Sequence, residues 1–154
     1  MNVATEDRVS REELIDFLRG RTKVVLLTRR ADGRTQASPV VGAVDDAGHV
    51  LVSSYPSRAK VRNVRRDGRC AAVVLSDDFD GPWVQVYGTA SVVDGEDGVE
   101  RLVDYYRVAA GEHADWDDYR RAMRDRGKVA IDLEITDWGP IATGGVPPEF
   151  AEPD

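Results

Sequence analysis

A chain of 154 residues is long enough for one domain with a sizeable core. Its 42% hydrophobic and 32% charged residues and mean hydropathy of −0.41 describe a soluble globular protein, with no apolar run near membrane-spanning length. A net charge of −7 argues against a nucleic-acid partner, and a single cysteine, Cys70, excludes an internal disulfide. The segment Met1 to Asp7 lacks the basic and apolar regions of a signal peptide, so a cytoplasmic protein is expected.

Ser10-Arg11-Glu12-Glu13 predicts an N-cap with a capping-box acid, opening a helix through Leu14, Ile15, Phe17 and Leu18 to Gly20. Lys23 to Thr28 follows as a strand, Asp32-Gly33 as a tight turn, and Arg34 to Val44 as a second strand. After the turn at 45–48, His49 to Ser54 is a third strand. A basic helix then runs from Ser57 to about Asp67-Gly68. Cys70 to Leu75 reads as a buried strand, Ser76 to Pro82 as a polar loop and Trp83 to Val93 as a long strand. Two helices, Asp97 to Val108 and Asp115 to Arg124, meet around Gly111, and Lys128 to Ile135 alternates as a last strand. Residues 1–143 are expected to form one domain, with 144–154, rich in proline, as a loose tail. This order lacks the alternating rhythm of a doubly wound sheet. It fits an α+β domain on an antiparallel barrel.

Ser57 to Arg69 holds six basic residues (Arg58, Lys60, Arg62, Arg65, Arg66, Arg69) and one acid, Asp67. Ser57 is the expected N-cap, with Val61 and Val64 on the buried face. Arg58 and Lys60 then fall in the first turn, where free N–H groups favour an anion and the dipole disfavours cations. A concentrated positive site on an acidic body points to a small anionic ligand; the plain alternative is a solvated basic helix. In Trp83-Val84-Gln85-Val86-Tyr87-Gly88, Trp83, Gln85 and Tyr87 share one face. Aromatics beside an amide suit a planar heterocycle, and equally suit a half-buried strand face or a subunit interface.

Side chains that could carry chemistry alone are scarce. Cys70 opens an apolar strand and reads as a packed thiol. His113, in Glu112-His113-Ala114-Asp115, reads as a surface or cap residue, and His49 stands far from it without a cysteine cluster, so no metal site is expected. G-x-S-x-G, a post-strand G-x-G-x-x-G and a P-loop are all missing from the sequence. No catalytic side chain is assigned. An enzyme of this kind needs a cofactor to carry the reaction.

Gln36-Ala37-Ser38-Pro39-Val40-Val41, the run Ser57 to Asp67, and Tyr87-Gly88-Thr89-Ala90 resemble the pyridoxamine-phosphate-oxidase-like split β-barrel flavoproteins. Tyr105-Tyr106-Arg107 and Ala110 to Arg120 look like the actinobacterial branch that uses the deazaflavin coenzyme F420 in place of flavin mononucleotide. The resemblance spans about residues 10 to 139. It implies a Greek-key split barrel with flanking helices and an F420-dependent oxidoreductase that passes hydride to a small conjugated acceptor. A flavin mononucleotide oxidase or reductase, and a non-catalytic carrier of F420, flavin or heme, are the alternatives.

By position, the resemblance implies that Arg58 and Lys60 hold the coenzyme phosphate with Asn63 nearby. Gln36, Ser38, Pro39 and Val40 would line the ring system, partly through backbone groups, and Ser53 and Ser54 would border the phosphodiester. Arg62, Arg65 and Arg66 would be available to the anionic glutamate tail. Trp83, Gln85 and Tyr87 would approach from the second subunit of a homodimer. Pro39 and Val41 stand where some relatives carry polar residues.

Overall fold

A computed structural model of the chain describes residues 2–153. Eight strands, β1 (Thr5–Asp7), β2 (Lys23–Arg29), β3 (Thr35–Val44), β4 (His49–Ser54), β5 (Arg69–Val74), β6 (Val84–Val93), β7 (Val129–Trp138) and β8 (Ile141–Thr143), alternate with four helices. These are α1 (Arg11–Leu18), α2 (Ala59–Arg66), α3 (Gly95–Ala110) and α4 (Trp116–Asp125). Six strands close an antiparallel barrel in the order β2-β3-β4-β7-β6-β5. The α+β split-barrel class read from the sequence is the fold observed.

Alternation along each barrel strand sends one set of side chains inward. Leu26, Val50, Val52, Val84, Val86, Ile131 and Leu133 fill the interior. α1 starts at the expected capping box: the Glu13 N–H donates to Ser10 Oγ, and the Ser10 N–H donates to Glu13 Oε1. It buries Leu14 and Leu18 on the barrel. A second cluster, Val99, Leu102, Val103, Tyr119 and Met123, packs α3 and α4 against Ala130 of β7.

The basic helix begins one residue later than its sequence suggests. The Arg58 N–H donates to the Tyr55 carbonyl at 3.0 Å, closing a turn over Pro56 and Ser57, so Arg58 and not Ser57 is the N-cap. Its side chain makes no capping bond.

Two three-residue strands lie outside the sequence reading. β1 and β8 pair as Thr5 with Thr143 and Asp7 with Ile141. Beyond them Val3 bridges Val146, and Trp83 bridges Ala142. The beginning of the segment after Gly144 is therefore backbone-paired, with a 3-10 turn at Pro148–Phe150. No helix among the described residues is long and apolar enough to cross a membrane.

The β6–β7 pairing shifts register between Tyr87 and Gly88. A Cβ on Gly88 would lie 1.8 Å from the Glu134 carbonyl oxygen, whereas one on Gly144 would meet nothing. Gly88→Ala is expected to lower stability by about 3 kcal/mol, the upper end for overpacking. Gly144→Ala is expected to change it little. Urea unfolding of the two variants checks the contrast.

Candidate functional site

β3 pairs with β2 along its whole length but with β4 only at Gly42–Val44. Residues 35–41 therefore leave one backbone edge without a strand partner. The Gly42 N–H bonds back to Thr22, on the β2 side, so alternate residues Ala37, Pro39 and Val41 turn their backbone groups to the open edge. Two of these carbonyls are already engaged: Val41 accepts from the Tyr105 hydroxyl at 3.1 Å, and Ala37 from Gln36 Nε2 at 3.1 Å. Pro39 lies where its missing N–H costs no ladder bond.

α3 lies along this part of the sheet, while α2 packs against β2 and β6. Val61 and Val64 enter the core, and Asn63, 6% exposed, donates to Thr28 Oγ1 at 3.1 Å. Thr28 donates to Gln36 Oε1 at 3.1 Å, and Gln36 Nε2 donates to Ser38 Oγ at 2.7 Å. Arg66 Nη2 closes the other end, donating to Asn63 Oδ1 at 2.8 Å and to the Arg29 carbonyl. Three of the expected site residues, Gln36, Ser38 and Asn63, thus form one connected network. The sequence reading saw Asn63 only as a neighbour of a phosphate; here it also locks α2 to β2 and β3.

The basic run divides by direction. Arg65 pairs with Asp94 at 3.2 Å and Arg69 with Asp67 at 2.9 Å, so Arg65 is not the free cation the sequence suggested. The Arg69 guanidinium holds the Asp67 carboxyl down at about 2. Arg62 and Arg66, with Arg30 from the β2–β3 hairpin, line a groove that also holds Gln36, Asn63 and Asp32, whose carboxylate is engaged by Arg34. Lys60 points elsewhere, into a cavity of about 370 Å³ with Val40, Val41, Ser53 and Tyr105. Burial, then the nearby Arg58 charge, lower the Lys60 ammonium below its usual range. Ser54 is buried and does not line this cavity; Arg58 is exposed. Tyr106, Tyr119, Met123 and Lys128 complete the lining; Lys128, absent from the expected site residues, arrives there because β4 pairs with the start of β7.

Trp83, Gln85 and Tyr87 share a face as expected, with Trp83 38% and Tyr87 42% exposed. They do not meet Lys60 within the chain. Trp83 and Gln85 line a separate apolar cleft with Val73, Leu75 and Phe79, itself 90% exposed. Gln85 and Tyr87 border a shallower hollow over Leu27, Cys70 and Ala71.

Other candidate groups are occupied. His113 Nδ1 accepts the Asp115 N–H at 2.9 Å, and its ring packs edge-on to Tyr106. His49 Nδ1 lies 2.6 Å from Asp132 Oδ1, which Arg101 also holds through the other oxygen. Cys70 is buried, and burial pushes its thiol up to about 12.

A sequence model described as pyridoxamine 5'-phosphate oxidase matches residues 10–142. The chain belongs to the pyridoxamine 5'-phosphate oxidase family. Solved structures agree at the level of fold. A conserved hypothetical protein of Mycobacterium tuberculosis is 20% identical with a TM-score of 0.71, covering 92% of this chain and 89% of its own. An F420 reductase is 20% identical with a TM-score of 0.60, over 80% of this chain and 94% of its own. The FAD binding protein from Mycobacterium smegmatis is 16% identical with a TM-score of 0.62, over 89% and 98%. The family makes oxidoreductase or cofactor-binding chemistry the frame for the site. Its residues fit a phosphate-bearing cofactor, since Lys60 and Lys128 face one cavity with no carboxylate in its lining.

The buried thiol sets a pH dependence. The native state keeps the Cys70 proton to about 12, while the unfolded chain releases it near its ordinary 9.0. Stability contributed by the protonated thiol is therefore lost as pH rises through that window. Denaturation at pH 8 and pH 10.5 is expected to show a steeper loss for wild type than for Cys70→Ala, and iodoacetamide at pH 8 to modify the native thiol far more slowly than the urea-unfolded one.

Proposed function

We propose that this protein is an oxidoreductase that uses coenzyme F420 and passes hydride to a small conjugated acceptor, acting as a homodimer. One observation carries the choice of coenzyme: among the described residues, cations without an ion-pair partner lie on two sides of α2, Lys60 in the tyrosine-walled cavity and Arg62 and Arg66 in the hairpin groove, where the one acid, Asp32, is held by Arg34. A mononucleotide has one phosphate to offer them. F420 has a phosphodiester and, further along, a carboxylate tail, which suits two separated positive sites. The fold shared with an F420 reductase supports the same choice.

When bound and reduced, the deazaflavin supplies the hydride from ring carbon-5. The chain's own part is to hold and orient. Lys60 anchors the phosphate, Ser53 borders it, and Arg62 and Arg66 draw in the tail. The open edge of β3, held flat by the Gln36–Ser38 network, offers the Pro39 carbonyl and the Val40 side chain to the ring. Trp83, Gln85 and Tyr87 stand too far round the barrel to share that cavity within the chain, so in this reading they close the site of a second copy and exclude water from it. The half-buried strip Val25, Leu27, Ala71 and Val73 between the two groups of residues suits a subunit interface.

A flavin is the second reading, supported by the shared fold with the FAD binding protein. Titrating F420 and flavin mononucleotide into the protein at several salt concentrations separates them. F420 is expected to bind more tightly and with a steeper salt dependence, since a longer anion makes more screened contacts. Tighter flavin binding, with rapid oxidation of the reduced complex in air, would reverse the assignment. Lys60→Ala is expected to weaken either coenzyme by about 1.5–3 kcal/mol, the usual worth of a charged hydrogen bond, without unfolding the protein. Sedimentation is expected at twice the 17.0 kDa chain mass; a monomer that binds the coenzyme fully would rule out the shared site.

A further inference from the structure

The chain holds three lysines against eighteen arginines. Lys23 lies 3.5 Å from the exposed Asp77 carboxylate. The other two, Lys60 and Lys128, are both half-buried, both line the tyrosine-walled cavity, and neither has a carboxylate within ion-pair distance among the described residues. Lys128 sits at the turn where α4 runs into β7, its N–H bonded to the Met123 carbonyl at 3.1 Å. Gly127 before it takes a φ of +62°, the left-handed conformation that lets the chain reverse there. From that turn the side chain reaches back over the Tyr55 ring, with Nζ 5.1 Å from its centre, and donates to Ser53 Oγ at 3.1 Å.

Lys60 and Lys128 line one partly desolvated cavity, where burial and the nearby Arg58 charge already disfavour the charge on Lys60. An anion seated between the two lysines offsets that cost. The intervening hydroxyl is suited to the same ligand. Because Ser53 Oγ accepts from Lys128, its own proton remains to be donated into the cavity. A compact ammonium also suits a site approached from two elements, where the wide arginine fork would need a planar partner on each side.

We propose that Lys128 is a second anchor for the coenzyme's phosphate, clamping it together with Lys60 across the Ser53 hydroxyl. The proposal rests on the reading that this cavity receives a phosphate, and adds the residue and the two-sided geometry that hold it. The group recognised is a phosphate ester, whether the diester of F420 or the monoester of a flavin nucleotide. Phosphate-free counterparts of each coenzyme, riboflavin and the deazaflavin riboside, lack the group on which Lys128 acts.

The test is calorimetric titration of wild type, Lys60→Ala, Lys128→Ala, Lys128→Arg and the double alanine variant. The probes are F420, flavin mononucleotide, riboflavin, the deazaflavin riboside and inorganic phosphate, with urea unfolding run in parallel. Lys128→Ala is expected to weaken the preferred phosphate-bearing coenzyme by about tenfold or more, leave its phosphate-free counterpart unchanged, and flatten the salt dependence. Lys128→Arg should recover part of the loss. The double variant should lose less than the product of the single losses, because each lysine acts on the same phosphate. Normal phosphate-ester affinity in Lys128→Ala, beside a loss in Lys60→Ala, would overturn the clamp and leave the proposed function standing. Equal losses for the coenzyme and its phosphate-free counterpart would also overturn it, reducing Lys128 to a structural support of Tyr55. If no phosphate compound, inorganic phosphate included, binds wild type at millimolar concentration, the clamp and the proposed function both fall.

Discussion

Everything around the candidate site depends on β3 having a partner on one side only beyond Gly42. β4 is six residues long and pairs with β7 throughout. It then ends at Ser54, where the Tyr55–Arg58 turn carries the chain away. The outer half of β3 is left with backbone donors and acceptors that need partners other than a strand. The fold meets this need with side chains from elsewhere: Tyr105 of α3, the helix that lies along β3, caps the Val41 carbonyl, and Gln36 caps Ala37. Pairing of β3 with β4 along its whole length would leave no such edge. The open edge of β3, the helix α3 that covers it and the Asn63–Thr28–Gln36–Ser38 network that ties α2 to β2 and β3 are one structural solution.

Charge is arranged around that solution. On α3 and α4 every arginine is paired: Arg101 with Asp45, Asp104 and Asp132, Arg107 with Glu112, Arg120 with Glu100, Arg121 with Asp118 and Arg124 with Glu96. Apart from the largely buried Arg101 pairs with Asp45 and Asp132, these are exposed pairs that add little stability each. Their effect on the field is larger, because they neutralise one side of the molecule at short range. Around α2 the opposite holds, and Lys60, Arg62 and Arg66 face cavities without acids of their own helix. An acidic protein thereby presents a local positive field that carboxylates of the same helix do not cancel.

Much of this was legible in the sequence. The capping box at Ser10 and Glu13, the turns at Gly33 and Gly48, and the alternation of Val84, Val86, Ile131 and Leu133 each follow from local rules, and together they define the succession of elements along the chain, though not the order β2-β3-β4-β7-β6-β5 around the barrel. β1 and β8 were not legible, since three residues contain no measurable period and each exists only because the other lies beside it. Ser57 looked like the cap because residue type was visible and the turn that Pro56 closes was not. Lys128 was absent from the expected site residues for a related reason: 68 positions separate it from Lys60 in sequence, and the pairing of β4 with the start of β7 brings them to one cavity. Trp83, Gln85 and Tyr87 were correctly placed on one face, while their distance from the lysine cavity depends on how far the sheet curves between β3 and β6.

The small sheet of β1 and β8 has a mechanical consequence for that aromatic face. Trp83 bonds through both its N–H and its carbonyl to Ala142, at 2.9 Å each, and Ala142 is paired in turn with Glu6. The far end of the same zipper is fastened by the bonds of Val146 with Asn2 and Ala4. Both ends of the chain therefore form a single latch beneath Trp83, held by few buried apolar groups and many solvent-facing backbone bonds. Such a unit opens at lower free energy than the barrel. Amide exchange in residues 2–7 and 141–146 should rise and fall together, and the cleft under Trp83 breathes at the frequency of that latch.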